Sequence, residues 1–255
     1  MKQFVVMPSA GKRLIGKALA SHLAVKKALK NGTLVIIAGT TNGYVAEEIL
    51  KSLKGSNSFS RKRFFRGITI PPALALNSEG RLNDKCDFPG DVVITKGKWQ
   101  KGQTIFDVID KLKEGDIILK GANAVDLQRK QAGILIGHPK GGTIAVALQA
   151  VLGRRVKLFI PVGLEKRVNS DLFYLAEKVN APNLSGFRLI PTPGQIITEI
   201  EALKLLTGAS AELISAGGVC GAEGSCWLAV TGTEEQENAA EKILSSVASE
   251  PKFTL

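Results

Sequence analysis

The stretch IIAGTTNGYVAEEIL (residues 36–50) runs from an apolar strand pattern through small and hydroxylated residues into a helical pattern. Gly39 ends the predicted strand, and Thr40 and Thr41 supply hydroxyl groups. Asn42 is a suitable N-cap for the helix that follows. Because a helix N-terminus offers unpaired N–H groups and a partial positive charge, this turn can hold an anion. A plain capped turn that only joins a strand to a helix explains the same residues equally well.

Strand and helix patterns alternate along most of the chain. Short apolar or β-branched runs predict strands over residues 33–39, 115–121, 133–139 and 155–163. Periodic apolar positions predict helices over residues 10–32, 44–55, 104–115 and 143–153. Continuous apolar strands that alternate with helices are typical of a parallel sheet covered on both faces. We therefore predict an α/β fold, with a Rossmann-like three-layer arrangement around a parallel sheet.

Two parts of the chain depart from this alternation. Residues 60–100 predict a β-rich excursion, because the extended segments RGITIPP (66–72) and GDVVITKGKW (90–99) have no helical period between them. After residue 185 the order strand, helix, two strands and helix resembles a split βαβ unit of ferredoxin-like type. The last helix is predicted to begin with a capping box, Thr233 with Gln236.

These patterns predict two domains with a boundary near residue 184. The first is the α/β core, residues 1–184, and the second is a small ferredoxin-like α+β unit, residues 185–255. Because such a unit exposes a sheet edge through which copies of the chain can assemble, we expect a homo-oligomer.

The net charge of +11 favours an anionic partner, whether a phosphorylated metabolite, an acidic protein or a nucleic acid. The densest basic run is SRKRFFR (60–66), where arginines and a lysine surround two phenylalanines. Such a run can grip a nucleic-acid backbone and stack bases. A solvated loop is the favoured interpretation of the same residues.

The sequence predicts neither a membrane protein nor a metal-binding site. No apolar run approaches the roughly 20 residues that span a bilayer, and the N-terminal apolar stretch is too short for a signal peptide, so we expect a cytoplasmic protein without a membrane partner. Cys220 and Cys226 flank a turn with no histidine nearby, which is too few ligands for zinc. Together with Cys86 they are interpreted as small buried thiols.

One phosphate-binding pattern is rejected. Gly11, Gly16 and Lys17 fit the first part of G-x-x-x-x-G-K, but Ala18 stands where that pattern needs Ser or Thr to hold magnesium. The residues between the two glycines belong to an amphipathic helix, which is unlike the flexible cradle of a P-loop.

Two further glycine-bearing turns follow predicted strands. LKGANAVD (119–126) follows one strand and GHPKGGT (137–143) follows the next. If both strands are parallel, these turns meet the Gly39 turn at one sheet edge, where α/β proteins gather ligands. The GHPKGGT turn contains a donor-rich, cationic group: Lys140, Gly141, Gly142 and Thr143.

Few groups in these turns can transfer a proton. Asp126 is their only carboxylate and His138 their only imidazole. Asp126 can equally cap the segment that follows it. A hydrogen-bonded structural role is favoured for His138, because a residue before proline is conformationally restricted.

A GTT turn, a GANAVD turn and a KGGT turn followed by RVKLFIPVGLEKRV together resemble one superfamily. It includes ribose-5-phosphate isomerase, glucosamine-6-phosphate deaminase, CoA transferases, DeoR-type sugar-sensing repressors and translation initiation factor 2B. The resemblance covers roughly residues 33–165, and the C-terminal unit resembles that of the isomerase. It implies that Gly39, Thr40 and Thr41 contact a phosphate or sugar hydroxyls. It also places Gly121, Ala122, Asn123 and Asp126 where the isomerase has its acidic, aspartate-rich turn. Lys140–Thr143 correspond to its third, Gly-rich turn, and the resemblance implies that both turns contact the substrate.

The sequence departs from the isomerase pattern at its acidic turn. Asn123 and Ala124 replace acidic residues there, which leaves Asp126 alone. Glu165 and Lys166, in GLEK, follow a later strand. The CoA-transferase glutamate has no confident counterpart, so the family's chemistry does not transfer directly.

The leading function prediction is an enzyme that binds a phosphorylated sugar or a similar small anionic metabolite and moves a proton next to a carbonyl group. Thr40, Thr41 and Lys140 hold the anion, Asp126 or Glu165 is the base, and no cofactor or metal is predicted. The alternative is a non-catalytic sensor or scaffold that keeps the pocket, and nucleic-acid binding ranks third.

Overall fold

The structure of the protein is a computed structural model, which describes residues 1–53, 58–74, 76–78, 80–82 and 88–254. The strands in chain order are β1 (Lys2–Val6), β2 (Thr33–Ile36), β3 (Val92–Thr95), β4 (Lys98–Trp99), β5 (Ile117–Leu119), β6 (Ala124–Asp126), β7 (Gln131–Ile136), β8 (Lys157–Pro161), β9 (Arg188–Thr192), β10 (Gln195–Ile197), β11 (Ser210–Ala216) and β12 (Cys226–Thr231). The α-helices are α1 (Pro8–Ser21), α2 (Leu23–Asn31), α3 (Thr40–Leu50), α4 (Ile105–Val108), α5 (Gly142–Arg154), α6 (Leu172–Val179), α7 (Glu199–Thr207) and α8 (Glu234–Val247). Short 3₁₀ turns cover Ile109–Lys111 and Leu164–Lys166.

The largest sheet has six strands in the order β10-β8-β5-β2-β3-β4. The first four strands of this order are parallel, whereas β3 and β4 run antiparallel to their neighbours. The α/β prediction is therefore confirmed, with a mixed sheet in place of a fully parallel one. The hairpin that the sequence predicted as part of an excursion extends this sheet, and Lys96 and Gly97 at its turn both have positive φ.

Helices cover both faces of the six-stranded sheet. Alternate residues of β2 point to opposite faces, so Leu34 and Ile36 pack with α1, α3 and α7, while Val35 and Ile37 pack with α4 and α5. Strands that are buried on both sides read as continuous apolar runs, which explains the run TLVII. The Rossmann-like description of this arrangement stays a prediction.

Two smaller antiparallel sheets flank the large one, in the orders β6-β7-β9 and β1-β12-β11. The prediction that the strand in residues 133–139 lies in the parallel sheet is wrong, because this segment forms β7, which runs antiparallel to β6 and β9. Only residues 127–130 separate β6 from β7. A connection that short forms a hairpin, whereas a parallel neighbour requires a crossover of a dozen residues or more.

The C-terminal unit also differs from the ferredoxin-like prediction. Its expected first strand is β9, which pairs with β7 instead of with β11 or β12. The place beside β12 is taken by β1, from the opposite end of the chain, with Phe4 opposite Leu228. The boundary near residue 184 stays a prediction, although this sheet joins both sides of it.

Some of the predicted helices, caps and strands are confirmed, and others differ from the prediction. The predicted helix 10–32 is divided at His22, which ends α1 and caps α2 by accepting from the backbone N–H of Ala24. Residues 11–18 are helical, which confirms the argument against a P-loop. The capping box of Thr233 with Gln236 is confirmed. Residues 66–72 form no strand, so that part of the predicted excursion is wrong.

The basic run 60–66 is not a solvated loop, which corrects the favoured interpretation. Phe64 and Phe65 are buried, so neither ring is exposed for stacking on a base. Arg61 pairs with Glu47 and Arg66 pairs with Asp91.

Of the cysteines, Cys226 is buried at the start of β12 as predicted, whereas Cys220 is exposed in the turn before it. Cys86 lies outside the described residues. Among the residues that the structure describes, no helix has the length and apolar character to cross a bilayer.

Candidate functional site

The site is built where the four parallel strands of the large sheet end. We call this the carboxyl edge, and four segments follow these strands there: residues 37–42 after β2, 120–123 after β5, 162–166 after β8, and 198–199 after β10. Because β3 is antiparallel to β2, β3 begins at this edge. Asp91, the residue directly before β3, therefore lies there too. Ligands of open α/β sheets gather at such an edge.

The turn after β2 is tied directly to β5. The N-cap of α3 is Gly39, so Asn42 lies inside the first helical turn and its prediction as N-cap is wrong. The side-chain amide of Asn42 instead donates to the carbonyl oxygens of Ile37 (2.7 Å) and Leu119 (3.0 Å). The N-terminus of α3 is thereby held against the end of β5.

Two oxygens in this turn are buried without a hydrogen-bond partner among the described residues, Oγ1 of Thr41 and Oδ1 of Asn42. No side chain of a described residue caps the start of α3. Since buried polar atoms are almost always hydrogen-bonded, this start is a place where a ligand can supply the missing contacts.

The segment after β5 contributes carbonyl groups. The carbonyl oxygen of Gly121 accepts from Nζ of Lys120 (3.3 Å), and that of Ala122 accepts from Nζ of Lys166 (3.0 Å). The side chain of Asn123 is used within the β6-β7-β9 sheet, where Oδ1 accepts from the backbone N–H of Leu135 (3.0 Å).

Asp126 is occupied by the hairpin between β6 and β7. Its Oδ1 accepts from the backbone N–H groups of Gln128 and Arg129, and its Oδ2 accepts from the Arg129 guanidinium at 2.9 Å. Burial opposes ionisation, but the hydrogen bonds from Arg129 and Gln128 outweigh it and hold the pKa of Asp126 below its ordinary value. The residue thus has the geometry of a cap for the segment that follows it, which is the predicted alternative to a role as base.

The turn that contains Lys140 starts from β7, so the premise that it ends a parallel strand is wrong. Lys140 is exposed, and its backbone N–H donates to Nδ1 of His138, as expected of a structural histidine. Gly141 and Gly142 have positive φ and open α5, which contains Thr143 in its first turn. A cavity of about 400 Å³ lies at this turn and is lined also by Arg188.

Glu165 is the most unusual group at the carboxyl edge. Its side chain is 15% exposed, and neither carboxylate oxygen accepts a hydrogen bond from a described residue. Its one charged partner within ion-pair distance in the described chain is Lys12 of α1, with 3.3 Å between Nζ and Oε1. A Cβ atom added to Gly163 would overlap this carboxylate, so the glycine makes room for it.

Glu199 lies beside Glu165 and is 2% exposed. Burial, followed by the neighbouring charge of Glu165, raises the pKa of Glu199 to about 8. Its Oε2 accepts from the backbone N–H of Leu164 (2.9 Å), and a Cβ atom on Gly11 of α1 would overlap its carboxyl group. The edge therefore holds one carboxylate paired with a lysine and one carboxylic acid that keeps its proton at neutral pH.

Three cations complete the edge, Lys120, Lys166 and Arg66. Burial is the main cause that lowers the pKa of both lysines, and for Lys120 the nearby charges of Arg66 and Lys166 add to it. Arg66 is paired with Asp91, which also accepts from the backbone N–H of Ala38 (2.9 Å). We refer to Lys12, Lys120, Glu165, Lys166 and Glu199 as the edge cluster.

A cavity of about 310 Å³ reaches the same edge at Asp91. Basic and aromatic side chains line it, including Arg63, Phe64, Trp99 and Lys101. Its volume is at the lower end of the range for small-molecule sites.

Sequence reasoning found Glu165 and Lys166 but missed the other members of the edge cluster. Lys120 follows the end of β5 directly, which is the signal that singled out Gly39 after β2. Glu199 was hidden because an acidic residue in the first turn of a helix is ordinary. Lys12 gives no signal, since its ion pair with Glu165 arises only from the packing of α1 against the turn at Leu164–Lys166.

Among the described residues, no group of three or more His, Cys, Asp or Glu side chains could hold a metal ion. No protein-family model, curated protein or solved structure matches the chain. The resemblance to the isomerase and deaminase superfamily is therefore untested and stays a prediction.

Proposed function

We propose that the chain is an enzyme that binds a phosphorylated sugar or a similar small anionic metabolite at the carboxyl edge and moves a proton next to its carbonyl group. The observation that carries this proposal is the buried carboxylate of Glu165, which accepts no hydrogen bond from a described residue and lies beside a carboxylic acid that keeps its proton. Pairs of carboxyl groups in different protonation states are typical of acid–base sites.

The chemistry follows from these two groups. Glu165 takes a proton from the carbon next to the carbonyl, and Glu199 gives its proton to the carbonyl oxygen. Reversal of these transfers at the neighbouring carbon completes an isomerisation without net consumption of protons. In this proposal Asp126 is not the base, because its lone pairs are engaged by Arg129 and Gln128.

Anion binding is supported by charge and by backbone. Lys120 and Lys166 present ammonium groups at the edge, and the uncapped start of α3 adds N–H donors near Thr40 and Thr41. Lys140 is exposed at the start of α5, on the layer opposite α3, so we assign the anion to the edge lysines instead.

The test uses NMR to monitor whether the protein exchanges carbon-bound hydrogen for deuterium in D₂O. The substrates are ribose 5-phosphate and related sugar phosphates. We expect wild type to exchange the proton next to the carbonyl and Glu165→Gln to lose at least about 100-fold in rate, the lower end for a general base. Glu114→Gln, at an exposed position, is the matched control, and Asp126→Asn should keep the exchange.

The sensor alternative predicts a different pair of results. Phosphate esters would raise the melting temperature of wild type, but no exchange would occur in wild type or in any variant. A ligand at 100 times its dissociation constant adds about 2.7 kcal/mol to the free energy of unfolding, which a thermal shift detects. Absence of both the shift and the exchange would contradict the proposal.

We include a homo-oligomer in this proposal. The outer face of the β1-β12-β11 sheet exposes three large apolar side chains, Val5, Ile214 and Trp227. Contiguous exposed apolar residues are typical of interaction surfaces. Light scattering should show an oligomer in wild type and a smaller species in Trp227→Lys, and a monomeric wild type would contradict this part.

A further inference from the structure

Among the described residues, Lys120 has no acidic partner. Its Nζ donates to the carbonyl oxygen of Gly121 at 3.3 Å, and it forms no ion pair with a described carboxylate. By contrast, Lys2, Lys12 and Lys51 each lie within 3.3 Å of a glutamate oxygen. Lys120 is also partly buried, so it differs from a surface lysine whose ammonium is solvated.

The surroundings of Lys120 do not compensate its charge. Asp91, the described acidic residue whose charge acts on Lys120, is already paired with Arg66 and accepts from the backbone N–H groups of Ala38 and Ile105. The other charged neighbours, Arg66 and Lys166, are cations. A lysine in such a place is shifted toward the neutral amine, which is the nucleophilic form, and its pKa is lowered to about 8.

We propose that Lys120 forms a covalent imine with the carbonyl carbon of the substrate, a phosphorylated or carboxylated aldehyde or ketone. This inference rests on the proposed function and names the carbonyl class on which that site acts. It rests on the position of Lys120 directly after β5 at the carboxyl edge, where its Nζ donates to a backbone carbonyl oxygen, no described carboxylate forms an ion pair with it, and Lys166 of the edge cluster lies nearby.

The bonds balance as follows. The lone pair of the neutral Nζ forms a C–N bond, while the π electrons of the C=O bond move to oxygen, which takes up a proton. This first proton comes from the nitrogen, and a second proton, available from Glu199, converts the oxygen to water. As the C–O bond breaks and water leaves, the nitrogen lone pair forms the C=N bond, and the product is a protonated iminium. One water is released for each imine formed. The iminium then draws electrons from the neighbouring C–H bond, whose proton passes to Glu165.

Reductive trapping tests this step. Dihydroxyacetone phosphate or ribose 5-phosphate is mixed with the full chain and sodium borohydride, which reduces an imine to a stable secondary amine. Peptide mass spectrometry should find the adduct on Lys120, well above its level on exposed Lys113. The mapping is made on wild type, so it does not depend on how a variant folds.

Variants and a carbonyl-free ligand separate this inference from the proposed function. Lys120→Arg keeps the charge and should lose the adduct and turnover, whereas the matched Lys113→Arg should keep both. Glycerol phosphate, which has no carbonyl, should still raise the melting temperature of Lys120→Arg.

Three outcomes overturn the imine. Exchange and ester binding without a Lys120 adduct leave the proposed function standing and remove only the covalent step. Adducts spread evenly over exposed lysines would show ordinary glycation. If neither glycerol phosphate nor dihydroxyacetone phosphate raises the melting temperature, the anion site fails and the imine fails with it.

Discussion

Glu199 shows how a buried carboxyl group couples stability to pH. Between its ordinary pKa of 4.5 and its raised pKa of about 8, the folded chain keeps this proton while the unfolded chain loses it. The folded state then binds more protons, so the free energy of unfolding falls as pH rises through this window. The favourable contribution is fully present below pH 4.5 and is lost by about pH 8.

We expect Glu199→Gln to be more stable than wild type at pH 8.5, and to gain little at pH 4.5, because glutamine does not titrate. Each kcal/mol of difference raises the melting temperature by about 2–4 °C in a chain of this size. Thermal melts at both pH values measure it, with the exposed Glu114→Gln as control. Equal shifts at the two pH values would mean that Glu199 is ionised in the folded protein.

Single residues also show why the site was only partly predictable. Asp126 and Glu165 look alike in the sequence, since each is a carboxylate just after a strand. Their neighbours, which the local sequence does not specify, make the difference. Arg129 and the hairpin amides donate hydrogen bonds to Asp126, whereas Gly163 leaves room for a Glu165 carboxylate that forms an ion pair with Lys12 but accepts no hydrogen bond from a described residue. Hydrogen bonding decides their roles, and it depends on tertiary structure.

Helix α1 carries two glycines whose lack of a side chain is used. An added Cβ at Gly11 would overlap Glu199, and one at Gly16 would lie 2.9 Å from the carbonyl oxygen of Tyr44 in α3. In the sequence these residues belong to a false P-loop pattern. Their spacing instead reflects close packing of α1 against a buried carboxyl group and against α3.

Gly11→Ala should therefore destabilise the protein, although the same change in an ordinary helix interior stabilises by about 1 kcal/mol. Overlap with Glu199 is expected to cost roughly 1–3 kcal/mol and to reduce turnover, because Glu199 must move. Gly153→Ala in α5 is the matched control, since its added methyl meets open space. Urea denaturation of the two variants would show shifts of opposite sign, and a neutral Gly11→Ala would place Glu199 elsewhere.

Arg13 in α1 ties three segments together. Its guanidinium donates to Glu47 (2.6 Å) and Glu48 (2.8 Å) of α3 and to Glu250 (2.9 Å) near the C-terminus. The side chain is only 9% exposed. Its hydrogen bond lowers the pKa of Glu250, so this contribution to stability is present above the ordinary pKa of 4.5 and is lost as the pH falls further.

Arg13→Leu should lower the free energy of unfolding at pH 7 by about 1–3 kcal/mol, because it removes charge-assisted hydrogen bonds and leaves Glu47 and Glu250 with Arg61 and Glu48 with Lys51 as their remaining cations. Lys51→Leu removes the exposed partner of Glu48 and should cost at most about 1 kcal/mol. Urea titrations at pH 7 compare them. Similar losses in both variants would mean that the Arg13 pairs behave as surface ion pairs.

At the level of the elements, most strands and helices follow from local patterns. The helix starts at Thr198 and Thr233 carry capping boxes, and the hairpin at Lys96–Gly97 follows its turn residues. Pairing partners were less predictable. Because β7 and β9 have the same apolar character as the central strands, only the short β6–β7 connection distinguishes their sheet.

The two predicted domains share one core. A single cluster of buried residues includes Leu34 of β2, Leu14 of α1, Leu203 of α7 and Leu228 of β12. The charge pattern and composition do not reveal this, because the contact between β1 and β12 joins segments about 220 residues apart. The boundary predicted near residue 184 follows a change in the sequence pattern, and such a change does not require a break in packing.

We expect one cooperative unfolding transition for both regions. The chain has two tryptophans, Trp99 in the large sheet and Trp227 in the β1-β12-β11 sheet. Trp99→Phe and Trp227→Phe leave one reporter each, and their urea midpoints should coincide with each other and with circular dichroism. Two separate midpoints would instead support independent domains on either side of residue 184.

The pairing of β1 with β12 also constrains biosynthesis. A ribosome that adds roughly 5–20 residues per second needs about 10–45 s to make the strand that β1 must join. Throughout that interval the edge of β1 has no partner and α1 has only part of its packing surface. The nascent chain must therefore delay closure of this sheet until β12 has been made, which is the period when chaperone protection matters most.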